Sequence, residues 1–65
     1  MDEPRAELSS INTALDDLTR RVGEIAERSS GTEHDWLAVE LFEVERSLDE
    51  ARRRLAALGD RMRRG

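Results

Sequence analysis

The apolar residues in the second half of the chain return at alternating steps of four and three: Leu37, Leu41, Val44, Leu48, Ala51, Leu55, Leu58, Met62. A mean period of about 3.5 residues holds a stripe on one side of a helix and is the pattern of a coiled-coil seam. A strand would alternate at every second residue, so this spacing predicts one long helix. Leu8, Ile11, Leu15, Leu18, Val22 and Ile25 repeat the pattern in the first half. The chain therefore carries two seams, each able to serve as the mate of the other.

The break between them is Ser29-Ser30-Gly31-Thr32. Gly31 suits the left-handed residue that closes a helix, and Thr32 with Asp35 three positions on makes an N-cap for the next. Glu33 and Asp35 place negative charge in the first turn, where the helix dipole favours it. At the other entrance Asp2 is predicted to cap the first helix, with Pro4 tolerated in its opening turn. A connection of about four residues makes two helices antiparallel neighbours. The expected fold is all-α: a single domain over residues 1–65, an antiparallel two-helix coiled-coil hairpin with helices over about 3–29 and 33–63 and a loop over about 29–32.

Folding the sequence at that loop sets Ile25 against Leu37, Val22 against Leu41, Leu18 against Val44, Leu15 against Leu48, Ile11 against Ala51 and Leu8 against Leu55. Leu58 and Met62 then fall level with Pro4 and Met1.

A 65-residue chain without cysteine and with one histidine has neither disulfides nor a closed zinc site to stabilise it. Packing and oligomerisation remain. In a two-helix rod each seam residue is covered from one side, so it realises only part of the roughly 1.5–3 kcal/mol available from burying a leucine. Small residues beside the seams, Asn12, Ala14, Thr19, Ala26, Ala38, Ser47 and Gly59, would admit a second pair of helices. Long charged residues at other flanking positions, such as Arg21, Glu40, Arg54 and Arg61, suit an isolated coiled coil instead. The hairpin is expected to form a homodimer, a four-helix bundle.

Charged residues make up 40% of the chain, aromatics 3%, and the net charge is -4. That balance is compatible with disorder, but the regular heptads oppose it. No apolar run is long enough to span a bilayer, and Met1-Asp2-Glu3-Pro4 lacks the basic and apolar regions of a signal peptide, so a cytoplasmic location is expected. All eleven basic residues are arginine, which fits a GC-rich coding bias.

Three features bear on function. Residues 51–65 hold Arg52, Arg53, Arg54, Arg61, Arg63 and Arg64 against one acid, a local charge of +5, and could bind phosphate or nucleic acid. Against this, acids stand four residues before arginines at Asp16–Arg20, Asp17–Arg21, Glu24–Arg28, Asp49–Arg53, Glu50–Arg54 and Asp60–Arg64, the favourable order for pairing on one helix. Asp2, Glu3 and Glu7 also come level with the basic end. No aromatic is interleaved for base stacking. Residues 33–50 carry a charge of -6, spread around a helix without the glycine-containing loop of a calcium site, and read as a solvated face.

Trp36, Val39 and Phe42 follow each other at steps of three on the side of the helix turned away from the seam. Either the dimer buries them, with Gly23 level with Val39 as the place where a second hairpin crosses, or they form a docking surface for another protein with tryptophan as anchor. His34 sits exposed at a helix start and has no serine and acid arranged about it, so no catalytic constellation forms. No catalytic residue, cofactor or metal site is predicted.

The stretch Leu41-Phe42-Glu43-Val44-Glu45-Arg46-Ser47-Leu48 resembles small helical proteins of GC-rich bacteria, a likeness that heptad segments share widely and that carries no function across. The expected function is a non-enzymatic protein–protein interaction module, an adaptor, regulator or assembly subunit, acting as a homo-oligomer through Trp36, Val39 and Phe42. The competing expectation is a nucleic-acid-associated or transcription-associated factor using the C-terminal arginines. A third is a purely structural subunit, largely unfolded when free at low concentration.

Overall fold

Gly31 adopts φ +78°, the left-handed conformation that a side chain resists and glycine accepts. It follows the last bond of the first helix, in which Ser30 N–H donates to Ala26 O at 3.0 Å. Thr32 caps the next helix: its Oγ1 accepts from His34 N–H at 3.0 Å and donates to Ser29 O at 2.6 Å. Asp35 completes the corner by accepting from Gly31 N–H through Oδ1 at 2.7 Å. These local bonds satisfy backbone groups that both helix ends would otherwise leave open.

In the computed structural model, which describes residues 3–64, the corner joins α1 (Glu3–Ser29) to α2 (Asp35–Arg64). The two helices pack against each other along a rod whose Cα extents are 51 × 14 × 10 Å. The all-helical hairpin is as the heptads predict. Regular helix begins at Asp35 rather than 33, because the first turn closes through tighter bonds, Asp35 N–H to Thr32 O at 3.0 Å and Leu37 N–H to His34 O at 2.9 Å. The expected cap at Asp2 and the levelling of Met1 with Met62 lie outside the described residues, as does the side chain of Glu3.

The two helices meet along one column of each predicted seam, the one that carries the expected pairings of Leu8 with Leu55, Leu15 with Leu48 and Val22 with Leu41. On α1 the less exposed positions are Leu8, Asn12, Leu15, Thr19, Val22 and Ala26. On α2 they are Ala38, Leu41, Glu45, Leu48, Arg52, Leu55 and Gly59, with Leu37 beside them near the loop. Steps of three and four persist, but in each helix one column of large apolar residues now shares the contact with a column of small or polar ones. The other apolar column faces out: Ile11, Leu18, Ile25, Val44 and Leu58 are each 40–49% exposed. The expected pairings of Leu18 with Val44, Ile25 with Leu37 and Ile11 with Ala51 are therefore not the core of the contact.

Small side chains account for the rotation. Ala26 and Ala38 are the fully buried apolar residues, and Gly23 is buried close to Glu45. Residues of this size let helix axes come to the short end of the usual 8–10 Å range. Asn12, Thr19, Ala26 and Ala38, expected to admit a second hairpin, instead admit the sister helix, whereas Gly59 borders an open groove with nothing within 4 Å of an added Cβ. Thr19 is tolerated there because its hydroxyl donates to Leu15 O at 2.6 Å. Among the described residues no large side chain is fully buried.

Candidate functional site: an open apolar face and an aromatic ribbon

In both helices the outward apolar column stands three residues after a contact residue: Ile11 after Leu8, Leu18 after Leu15, Val44 after Leu41, Leu58 after Leu55. Three residues turn a helix about 300°, that is about 60° back. Because α1 and α2 run in opposite directions, equal backward turns viewed from one end are mirror images, and both columns arrive on the same side of the hairpin. Ile11, Leu18 and Ile25 thus lie beside Val44, Ala51 and Leu58 as one continuous apolar face. On α2 it includes a shallow depression between Ser47, Ala51, Leu55 and Leu58.

The opposite side is polar and grooved. One groove of about 380 Å³ runs between Ser9, Asn12, Leu55, Ala56 and Gly59. Nearer the loop, Phe42 borders a groove of about 390 Å³ with Thr19, Glu45 and Asp49. Arg52 crosses this side, with Nη1 3.5 Å from Asp16 on α1 and Nη2 2.5 Å from Asp49 on its own helix. Helical spacing alone does not reveal this inter-helix pair, because Asp16 and Arg52 are linked only through the loop.

Trp36, Val39 and Phe42 are exposed by 65%, 56% and 43%. Each step of three again turns about 60° back, so Trp36 and Phe42 stand about 120° apart around α2. They form a winding ribbon rather than a flat patch: Trp36 lies near the edge of the apolar face and Phe42 in the groove behind it. Gly23 is not a crossing point opposite Val39. It is closed off within the hairpin, where a Cβ would come 2.7 Å from Glu45 Oε2.

The C-terminal arginines are not gathered onto one surface. Arg52 turns toward α1, Arg53 pairs with Asp49 at 3.5 Å, and Arg63 pairs with Asp60. Arg54, Arg61 and Arg64 have no ion pair among the described residues. Arg54 and Arg61, seven apart, share an edge beside the apolar face. Of the expected four-residue pairs, Asp16–Arg20 at 3.5 Å, Asp17–Arg21 at 3.8 Å and Asp49–Arg53 form. Asp60 takes Arg63 in place of Arg64, one rotamer choice away on the same helix. Glu24–Arg28 and Glu50–Arg54 are not within ion-pair distance.

Among the described residues no group of three or more histidine, aspartate or glutamate side chains is placed to hold a metal ion, and no helix is long and apolar enough to cross a membrane. The open apolar face is the feature that reading two seams as mates overlooks. Its signal is a third periodic column, Asn12, Thr19 and Ala26 on α1 and Ala38, Glu45, Arg52 and Gly59 on α2. Two columns suffice for an isolated pair, whereas a helix in a bundle buries a wider stripe.

The chain matches no protein-family model, no curated protein and no solved structure.

Proposed function

We propose that this chain is a non-enzymatic protein–protein interaction module that works as a homodimer, a four-helix bundle of two hairpins, in the manner of an adaptor, regulator or assembly subunit. The observation that supports it is the face of Ile11, Leu18, Ile25, Val44 and Leu58, each left 40–49% exposed. Such a hairpin can serve as half a bundle: its columns of small and polar residues meet the sister helix, and its large outward column would face the bundle axis.

The chain exposes 5205 Å², whereas a compact folded monomer of its mass exposes about 4,200 Å². The difference is comparable to the roughly 800 Å² that each partner contributes to a standard interface. Sedimentation equilibrium together with circular dichroism tests the reading. A concentration-dependent dimer whose helicity falls on dilution is expected; a fully helical monomer across the micromolar range would sink it.

In this reading Trp36, Val39 and Phe42 serve a different protein. Phe42 is two residues from Val44, about 200° around the helix, so closing the apolar face leaves Phe42 and Val39 open and Trp36 at its rim. Co-purification from the native host is expected to recover a partner with the wild-type chain and lose it with Trp36→Ala/Phe42→Ala. Partner recovery undiminished by both substitutions would remove these residues from the proposal.

The nucleic-acid reading draws support from Arg54, Arg61 and Arg64, which lack ion-pair partners among the described residues. Its weakness is the spread of the six arginines around α2, two toward α1, two at the edge of the apolar face and two between. Binding to DNA or RNA that weakens steeply with salt and is abolished by replacing these arginines would favour it; no binding at low salt would eliminate it.

A further inference from the structure

Just outside the apolar face each helix carries an edge of residues at seven-residue intervals. On α1 these are Glu7, Ala14, Arg21 and Arg28; on α2 they are Glu40, Ser47, Arg54 and Arg61. The order is the same in both: acid, small residue, arginine, arginine. All eight are exposed. Arg21 has only the 3.8 Å pair with Asp17, between side chains that are both largely in solvent, and the other five charged residues have no ion pair among the described residues. Within one hairpin the two edges lie on opposite margins of the face, separated by the outward apolar columns, so they do not neutralise each other.

We infer that these edges are a recognition code for a second copy of this chain, an inference that rests on the homodimer proposed above. When two hairpins press their apolar faces together about a two-fold axis, two arrangements exist. With both loops at one end, α1 lies along the partner's α2. With loops at opposite ends, α1 lies along the partner's α1, and α2 along its α2. In both, the edges that meet run antiparallel. Antiparallel apposition of acid, small, arginine, arginine against the same order brings each acid to the arginine half of the other edge. It also sets the small residues near the middle, where the backbones approach most closely. Glu7 then comes to the half holding Arg54 and Arg61, or else Arg21 and Arg28, of the second copy, and Glu40 to the half holding the remaining pair. Parallel apposition would set acid on acid and arginine on arginine, so the same code disfavours parallel contact between copies.

Charges at the rim of an interface act mainly on partner choice and association rate, and they are screened by salt. The experiment is a charge swap on the full chain. One variant carries Glu7→Arg and Glu40→Arg, making both edges basic; the other carries Arg21→Glu, Arg28→Glu, Arg54→Glu and Arg61→Glu, making both acidic. Each alone is expected to dimerise at least tenfold more weakly than the wild type. Mixed, they should give a heterodimer well above the statistical half, read by native mass spectrometry, and should recover helicity that either has lost alone.

A statistical mixture, with both variants dimerising like the wild type, would overturn the code while leaving the homodimer standing. A wild type that remains monomeric would overturn both. Should the multiple replacements unfold either chain irrecoverably, Glu40→Gln decides the matter. It is expected to weaken the dimer about threefold at low salt and to flatten the rise of Kd with sodium chloride; an unchanged salt dependence would count against the code.

Discussion

Gly23 of α1 lies so close to Glu45 of α2 that an added Cβ would come 2.7 Å from Glu45 Oε2 and 3.2 Å from its Cδ. The obstacle is the far end of a flexible side chain rather than backbone. Alanine improves helix propensity over glycine by about 1 kcal/mol, and Glu45 is partly exposed and free to swing outward. Gly23→Ala is expected to raise stability by about 0.5–1 kcal/mol in thermal denaturation, whereas Gly23→Leu, too long for a carboxylate shift to accommodate, should lower it.

Arg52 is 33% exposed, and its partners Asp16 and Asp49 are 53% and 38% exposed. Solvent screening at such exposures limits an ion pair to roughly 0.2–1 kcal/mol. Arg52→Ala should therefore cost about 1 kcal/mol, including the packing of its aliphatic stem between the helices. Arg53→Ala, which loses only a solvent-facing pair, should stay within about 0.5 kcal/mol. A double-mutant cycle between Asp16 and Arg52 measures the inter-helix part alone; a coupling of zero would assign the cost to packing.

At the corner, Thr32→Ala removes the acceptor for His34 N–H and is expected to cost about 1 kcal/mol. In a domain of this size that lowers the melting temperature by roughly 4–8 °C. Gly31→Ala introduces a side chain at φ +78° and should cost about 1 kcal/mol although nothing lies within 4 Å of the added Cβ. Equal melting temperatures for wild type and Gly31→Ala would show that the corner relaxes to another turn.

On the apolar face, Leu18 retains about half its exposure in the single hairpin. Dimerisation has therefore roughly 1 kcal/mol still to gain from it per copy. Leu18→Ala should raise the dimer dissociation constant about thirtyfold, two copies contributing about 2 kcal/mol. Phe42→Ala should leave that constant within about threefold, and Trp36→Ala, at the rim, should weaken the dimer less than Leu18→Ala. Aromatic replacements that weaken the dimer as much as Leu18→Ala would place the ribbon inside the interface.

Much of this molecule is legible residue by residue. Helix content follows from the alternating steps of three and four, and the corner from Gly31, Thr32 and Asp35, whose bonds span at most four residues. Ion pairs on one helix follow in part: three of the six expected four-residue pairs form, and Asp60 takes Arg63 over Arg64 by a side-chain rotation. The inter-helix pair of Arg52 and Asp16 is not legible in this manner, nor is the outward turn of Ile11, Leu18, Ile25, Val44 and Leu58. Both depend on how each helix is rotated about its own axis.

The chain's sequence alone therefore determined two helices, a tight corner and their antiparallel return, because each is set by local backbone geometry and a repeating apolar spacing. Which pair of columns faces the sister helix was decided only in the tertiary structure. A heptad offers the same spacing to adjacent column pairs, and the choice fell to the one in which Gly23, Ala26 and Ala38 leave room for the helices to come together. That close approach is why a row of large apolar residues remains on the surface.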